Sequence, residues 1–493
     1  MPVFADLKPK TVFKYFEEIC GIPHGSGNTA MISDYLAAFA KDRQLSCTKD
    51  RRGNVIIRKK GSPGCEDQDP VILQGHMDMV CTSEPDYEID FEKEGLHLVV
   101  DQGKIRALGT SLGGDDGIAV AYMLALLDGE DLIHPPLECV FTTDEEIGML
   151  GAAALDLSLL EGKRMINLDS EEEGLLLAAC AGGIVITAHL PLEREPDKGI
   201  PASLEITGLR GGHSGMEIDK GRGNAILLLG RALNYLDKNV SLKIIDIQGG
   251  TANNSIPSHA SADILIRKED ISAIDQLVKS IQTIYAEEYK LTDDQVNVIF
   301  SPEVRPGVRQ VLTEESSSRL LTTLMNLPNG VQKMSFALEG LVQTSLNLGK
   351  AITRDTEILF SCSVRSSLNT EKDHLVDQIR QLMESLGGSI SCSGGYPAWE
   401  YRADSPLRRL MVKVFEDQYG RRPEVTMIHA GVECGIFSGK IDDLDCISIG
   451  PDMEGIHSPA EALDIASVSR VWDYLLEVLS RMTQEQRFNM ASR

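Results

Sequence analysis

LECVFTTDEEIG, from Leu137 to Gly148, is a β-rich apolar run that ends on two adjacent acids, Glu145 and Glu146. Neighbouring carboxylates repel, and burying either one costs several kcal/mol unless a partner or a metal compensates it. Either the acids lie in a solvated loop or a cation sits beside them. The same pattern recurs nearby. VILQGHMDMV carries His76 and Asp78 at its end, and RMINLDSEEEG carries Asp169. Helical patterns lie before these runs, TVFKYFEEICGI and MISDYLAAFAKDRQ, and between them, the nearly all-apolar GIAVAYMLALLDG. Short strands alternating with helices predict an α/β fold, a three-layer αβα domain on a mixed, largely parallel sheet. Acids and histidines just after the strands fall where open α/β sheets bind ligands.

The chain has 493 residues, enough for two or more domains. Its 42% hydrophobic and 25% charged residues are those of a water-soluble globular protein. A net charge of −26 argues against nucleic acid and anionic membranes as partners. Acidic solvated faces are common, so the charge names no partner by itself. The ten cysteines include no C-x-x-C pair. They read as reduced thiols of a cytoplasmic protein rather than a zinc ribbon or redox motif. The first twenty residues hold no continuous apolar segment, so no signal peptide is expected. LLLAACAGGIVITAHL, Leu175 to Leu190, reads as two strands around a turn at Gly182-Gly183.

An internal repeat marks the middle of the chain. RKEDISAIDQLVKSI from Arg267 and RSSLNTEKDHLVDQI from Arg365 share Arg, Asp, Leu-Val and Ile at one spacing, and each follows a strand-like run. The last hundred residues return to α/β character and end in an amphipathic helix, SVSRVWDYLLEVLSRM. The expected organisation is a catalytic domain from residues 1–183 and 397–493, interrupted by an inserted α+β lid domain, 184–396, with two similar halves.

Five stretches carry the chemistry: QGHMDMV, LGGDDG (Asp115, Asp116), TTDEEIG, INLDSE and EGIHSP (His457). Imidazole and carboxylate together suit Zn²⁺, Mn²⁺ or Co²⁺. Residues two apart on a strand share a face, so Asp78 is placed to hold the second ring nitrogen of His76. Glycines beside Asp115 allow close backbone approach. Taken singly, each stretch has a plainer reading as a surface pair, a turn or a charged loop. Their joint occurrence in this order favours a metal site.

That order resembles the co-catalytic di-zinc metallopeptidases of the aminoacylase and carboxypeptidase clan. IPHGSGN, NLDSEEEG, ACAGGI, RGGHSG, SVRSS and HAGVECGIF are similar to the bacterial aminoacyl-histidine dipeptidase family, from about residue 10 to the C-terminal helix. The resemblance implies two metal ions, zinc first with manganese or cobalt as alternatives. His76, Asp115 and Asp169 would hold one, and Asp115, Glu146 and His457 the other, with Asp115 bridging. Glu145 would be the general base and Asp78 would orient His76. Asp116 departs from the family pattern, where Asn is common, and little consequence is expected. In the inserted domain, His213 would help bind the tetrahedral intermediate, and Asn254 and Arg365 would hold the substrate backbone and C-terminal carboxylate, a plainer reading of Arg365 being a surface or interstrand salt bridge. Glu433 is a weaker candidate for the substrate amino group. The implied activity is hydrolysis of dipeptides, with a preference for Xaa-His such as carnosine. An N-acyl-amino-acid deacylase of the same clan and a non-catalytic peptide-binding protein are the alternatives. Small dipeptides are the expected partners, and homodimerisation is left open.

Overall fold

The computed structural model describes residues 3–491. It divides into two compact units. The first gathers Met1–Cys180, Tyr401–Met427 and Val432–Arg493; the second gathers Ala181–Glu400 and Ile428–Gly431. The boundaries expected at 183/184 and 396/397 thus fall a few residues away, and Ile428 with the first three residues of HAGVECG joins the second unit. The 180/181 joint falls between two strands beside Gly182-Gly183, and the 400/401 joint follows GGYPAWE.

The first unit is built on an eight-stranded sheet. Its strands run in the order Ser46–Lys49, Val55–Lys59, Leu137–Thr142, Val71–His76, Arg164–Asn167, Asp445–Ser448, Leu175–Cys180 and Glu424–Ile428. Leu137–Thr142, Val71–His76, Arg164–Asn167 and Asp445–Ser448 are mutually parallel, and their flanks are antiparallel. Val71–His76 and Leu137–Thr142 are buried at every position, as strands covered on both faces must be. Val71 and Leu73 join a core with the helices Lys10–Cys20, Ala30–Asp42, Gly114–Asp128, Pro406–Tyr419 and Ile465–Ala491. Gly114–Asp128 is buried from Gly114 to Leu127, which explains why its sequence shows no polar face. A small antiparallel sheet of Met453–Glu454, Ala462–Asp464, Lys104–Ala107 and Leu98–Asp101 closes the loop that carries His457. Among the described residues no helix is long and apolar enough to cross a membrane.

The second unit holds a ten-stranded antiparallel sheet with its own core. Asn297–Pro302, Arg194–Thr207, Ala260–Ile266 and Leu242–Gly249 form one half, with the helices Ala225–Asp237 and Ile271–Glu288. Val342–Thr353, Glu357–Ser366, Gly182–Pro191 and Ser389–Tyr396 form the other, with Glu314–Asn326 and Asn369–Ser385. The halves meet through two residue pairs, Gln248 with Ile352 and Gly249 with Ala351. The repeated sequences occupy matching places: Ala260–Ile266 leads to Ile271–Glu288, and Glu357–Ser366 leads to Asn369–Ser385. The halves are interleaved, because Gly182–Pro191 precedes the whole of the other half in the chain.

Gly182-Gly183 is not the turn that the sequence suggests. Leu175–Cys180 ends in the first unit's sheet, and Gly182 opens the next strand in the second. The glycines are demanded by crowding: a Cβ on Gly182 would lie 2.4 Å from the Ala398 nitrogen, and one on Gly183 would lie 2.5 Å from the Tyr396 ring.

Candidate metal centre

Each acid or imidazole of the expected centre sits at or just beyond the end of a strand, or in a tight loop. His76 ends Val71–His76, Glu145 and Glu146 follow Leu137–Thr142, and Asp169 follows Arg164–Asn167. Asp115 stands at the start of Gly114–Asp128 with a non-helical backbone, after Gly113 at φ 67°. His457 itself adopts a positive φ, 59°.

These side chains converge on Asp115. His76 Nε2 lies 3.0 Å from Asp115 Oδ1 and 3.5 Å from Asp169 Oδ1. His457 Nε2 lies 3.1 Å from Asp115 Oδ2 and 2.8 Å from Glu146 Oε1. Asp115 therefore turns one oxygen to each imidazole. Ligand atoms of His76, Asp115 and Glu146 lie within 4.8 Å of one another, as do those of His76, Asp116 and Asp169.

The electrostatics call for cations. Among the described residues, no Lys or Arg lies within ion-pair distance of Asp115, Glu145, Glu146 or Asp169; the only partners are the two imidazoles. Burial pushes Asp169 up to about 6, against the pull of His76, with Asp115 and Glu146 adding to the rise. Burial raises Glu145 well above the carboxylate range, aided by Asp169, Glu433 and Glu146. His457 is raised to about 10 by Asp115 and Glu146. Burial opposes a charge on His76, yet Asp169, Asp115 and Asp78 hold its pKa well above the usual value. Two divalent ions would supply the missing positive charge, and the donor set fits them.

Asp78 meets His76 chiefly through its backbone, with its carboxylate as a second, longer contact to the same ring nitrogen. His76 Nδ1 is bonded by the Asp78 backbone carbonyl at 2.9 Å, while the Asp78 carboxylate stands 3.6 Å away. The strand ends at His76, so the alternation rule no longer applies at Asp78. Its carboxylate also accepts the Glu145 N–H at 3.0 Å, the Glu146 N–H at 3.4 Å and the Ser26 hydroxyl at 2.8 Å. It thereby anchors the Glu145-Glu146 turn, and Gly27 N–H adds a bond to Asp144 at 2.8 Å. Asp116 is fully buried and accepts the His76 backbone N–H at 3.1 Å, with its other oxygen unpartnered. Burial raises its pKa well above the carboxylate range.

Glu461 is a residue the sequence reading missed. Its buried carboxylate accepts the N–H groups of Leu112, Gly113 and Gly114 at 2.7, 3.1 and 2.8 Å, and of Asp115 at 3.4 Å. The signal was an acid four residues beyond His457 in GIHSPAE. Glu433 is wholly buried rather than open to a ligand. It accepts the Thr142 hydroxyl at 2.6 Å and a short bond from Gln74 Nε2, and its Oε1 is unpartnered.

His213, Asn254 and Arg365 belong to the second unit. His213 Nδ1 accepts the N–H groups of Gly215 and Met216 at 3.3 and 3.2 Å, which leaves the proton on Nε2. Burial and Arg365 lower its pKa, so the ring is neutral. Asn254 is exposed, and its carbonyl accepts the Ser214 N–H at 2.8 Å. Arg365 donates to the Tyr396 hydroxyl at 3.0 Å, and its buried Nε has no acceptor. Among the described residues no carboxylate pairs with it. Arg267, at the matching place in the repeat, is paired with Asp270 at 2.7 Å.

Comparison with known proteins follows the same line. Cytosol non-specific dipeptidase of Escherichia coli strain K12 is 36% identical over 487 residues, covering 98% of this chain and 99% of that protein. The chain belongs to the cytosol non-specific dipeptidase family. The crystal structure of aminoacylhistidine dipeptidase from Vibrio alginolyticus superposes with a TM-score of 0.91 at 32% identity, covering 97% and 98% of the two chains. Aminopeptidase PepT from Bacillus cereus shares the fold at a TM-score of 0.55 and 15% identity, over 96% and 98%. Residues 204–293 match the peptidase dimerisation domain family, a segment confined to the second unit.

Proposed function

We propose that this chain is a metal-dependent dipeptidase, with Xaa-His dipeptides such as carnosine among a broad set of substrates. The observation that carries the reading is the split of Asp115, one oxygen toward His76 and the other toward His457. A carboxylate so placed is suited to bridge two ions. His76, Asp115 and Asp169 would hold one divalent ion and Asp115, Glu146 and His457 a second. When bound, such ions polarise a scissile carbonyl and lower the pKa of an attacking water towards about 7.

The remaining steps belong to the side chains. Glu145, free of any ligand assignment, takes the proton of the attacking water and returns it to the leaving amine. Asp78 and Ser26 keep the Glu145 turn in place through the bonds given above. Arg365, which lacks a carboxylate partner, binds the C-terminal carboxylate of the dipeptide through its guanidinium fork. His213 and Asn254 bind the substrate backbone. The names and extent of the two full-length relatives support the dipeptidase reading over a deacylase. A cytoplasmic setting accords with the ten cysteines, all free thiols.

Zinc-loaded Glu145→Gln is expected to keep both ions by elemental analysis and to lose at least about 100-fold in kcat on Gly-His. Near-normal turnover would remove Glu145 as the base. Release of product from an N-acetyl amino acid but not from Gly-His, β-Ala-His or Leu-Leu would move the assignment to a deacylase.

A further inference from the structure

Arg365 lies in a row that crosses four strands of the second unit. Ser345 on Val342–Thr353 pairs with Arg365 on Glu357–Ser366. Arg365 pairs with Gly183 on Gly182–Pro191, and Gly183 pairs with Tyr396 on Ser389–Tyr396. Directly paired residues project to the same face of a sheet. The four positions therefore share one face, with Arg365 and Tyr396 separated by the strand that carries Gly183.

Adjacent strands stand about 4.8 Å apart, so the two backbones are roughly 10 Å from each other. The Tyr396 hydroxyl nevertheless accepts a bond from Arg365 Nη1 at 3.0 Å. It reaches there over Gly183. A Cβ at 183 would come within 2.5 Å of the Tyr396 ring and hydroxyl, closer than any real contact. Gly183 has no positive φ, so room for the ring, rather than backbone freedom, requires a glycine there. The Lys372 ammonium, 3.2 Å from the Tyr396 carbonyl, holds the base of the same residue.

The other flank of Arg365 is also neutral. Ser345 Oγ is bonded to His429 Nε2 at 2.7 Å. Burial, with Arg365 as a second cause, lowers His429 to about 4, so the ring is uncharged near neutral pH. Tyr396 occupies one of the five N–H groups of the guanidinium, and the rest of the fork remains for an anion.

We propose that Tyr396, laid across Gly183, is a positioning residue that aims the Arg365 fork at the substrate's C-terminal carboxylate. It sets the discrimination between dipeptides with a free carboxylate and those with a neutral C-terminus. The proposal rests on the assignment of Arg365 to that carboxylate.

The test compares Leu-Leu with Leu-Leu amide on the zinc-loaded full chain. Tyr396→Phe keeps the ring and removes the hydroxyl. It is expected to raise KM for Leu-Leu about 10-fold, to change kcat less than about threefold, and to leave kcat/KM for the amide unaltered. Gly183→Ala, checked for an intact melting transition, is expected to act in the same direction by displacing the ring. Tyr396→Phe should add nothing in an Arg365→Ala background. Where amide turnover is too slow to follow, calorimetric binding of both compounds to the Glu145→Gln chain gives the same ratio. Loss of the acid-over-amide preference in Arg365→Ala but not in Tyr396→Phe would overturn the role of Tyr396 and leave the carboxylate site standing. An equal loss on both compounds in Tyr396→Phe would also overturn it, as the mark of a general structural role. Full preference retained in Arg365→Ala would remove the carboxylate assignment itself, and the proposal with it.

Discussion

Asp115 can face two imidazoles only because its backbone leaves the helix. Its φ of −83° and ψ of 105° turn the side chain out of the first turn of Gly114–Asp128. Both oxygens are then engaged, and His457 and His76 outweigh burial to hold its pKa below the carboxylate range. Glu433 shows the opposite balance. Burial pushes it up to about 7, although His76 and the Thr142 hydroxyl favour its charge. The folded chain therefore binds this proton more tightly than the unfolded chain, whose value is 4.5. Stability from this group is lost as pH rises from about 4.5 to about 7 and is constant above, a cost on the order of 3 kcal/mol. In the metal-free protein, Glu433→Gln should raise the melting temperature at pH 8 and change it little at pH 4.5. A difference that does not vary with pH would show that Glu433 is not protonated in the fold.

At the scale of loops and strands, two ligand-bearing segments are tied together by a side chain that is itself no ligand. Glu461 follows His457 by four residues and collects the N–H groups from Leu112 to Asp115. Those groups form an anion-binding turn at the start of a helix, where a carboxylate is favoured. One carboxylate thus sets both the turn that presents Asp115 and the loop that presents His457. Glu461→Gln would turn an amide N–H₂ toward backbone donors. It should weaken zinc binding about 10-fold or more, measured by competition with a chromogenic chelator. Unchanged affinity would reduce Glu461 to an ordinary buried acid. The Glu145-Glu146 turn has a comparable brace: Asn54 accepts the Thr143 N–H at 3.0 Å and donates to the Gly151 carbonyl at 3.0 Å. A Cβ on Gly151 would meet the Thr143 carbonyl oxygen at 2.2 Å, which explains the glycine of DEEIGMLG.

Across the whole molecule, each unit carries its own core. One core is drawn from residues up to Ala178 and from Leu407 onward, the other from Ile186 to Met383. All the metal-ligand candidates lie in the first unit. Calorimetry should therefore resolve two transitions, of which only one rises with zinc. At a hundredfold excess of zinc over its Kd, that unit gains about 2.7 kcal/mol. Chelation should lower the same transition and leave the other in place. A single transition moving as one would show that the two cores unfold together.

The amino-acid order alone shows the strand and helix alternation and the donor chemistry at the strand ends. Both depend on local periodicity and on residue type. It also exposed the repeat, because Arg267 and Arg365 begin stretches of equal spacing. Tertiary structure decided the rest. The pairing of Asp115 with His457 spans 342 positions, and that of Asp115 with Glu461 through its N–H spans 346. No local pattern encodes which oxygen meets which nitrogen across such distances. Asp78 serves the Glu145 turn because the strand stops two residues early, and Gly183 is a glycine because a tyrosine crosses it. Both facts follow from how separate strands pack, and a linear reading of neighbours carries no information about that packing.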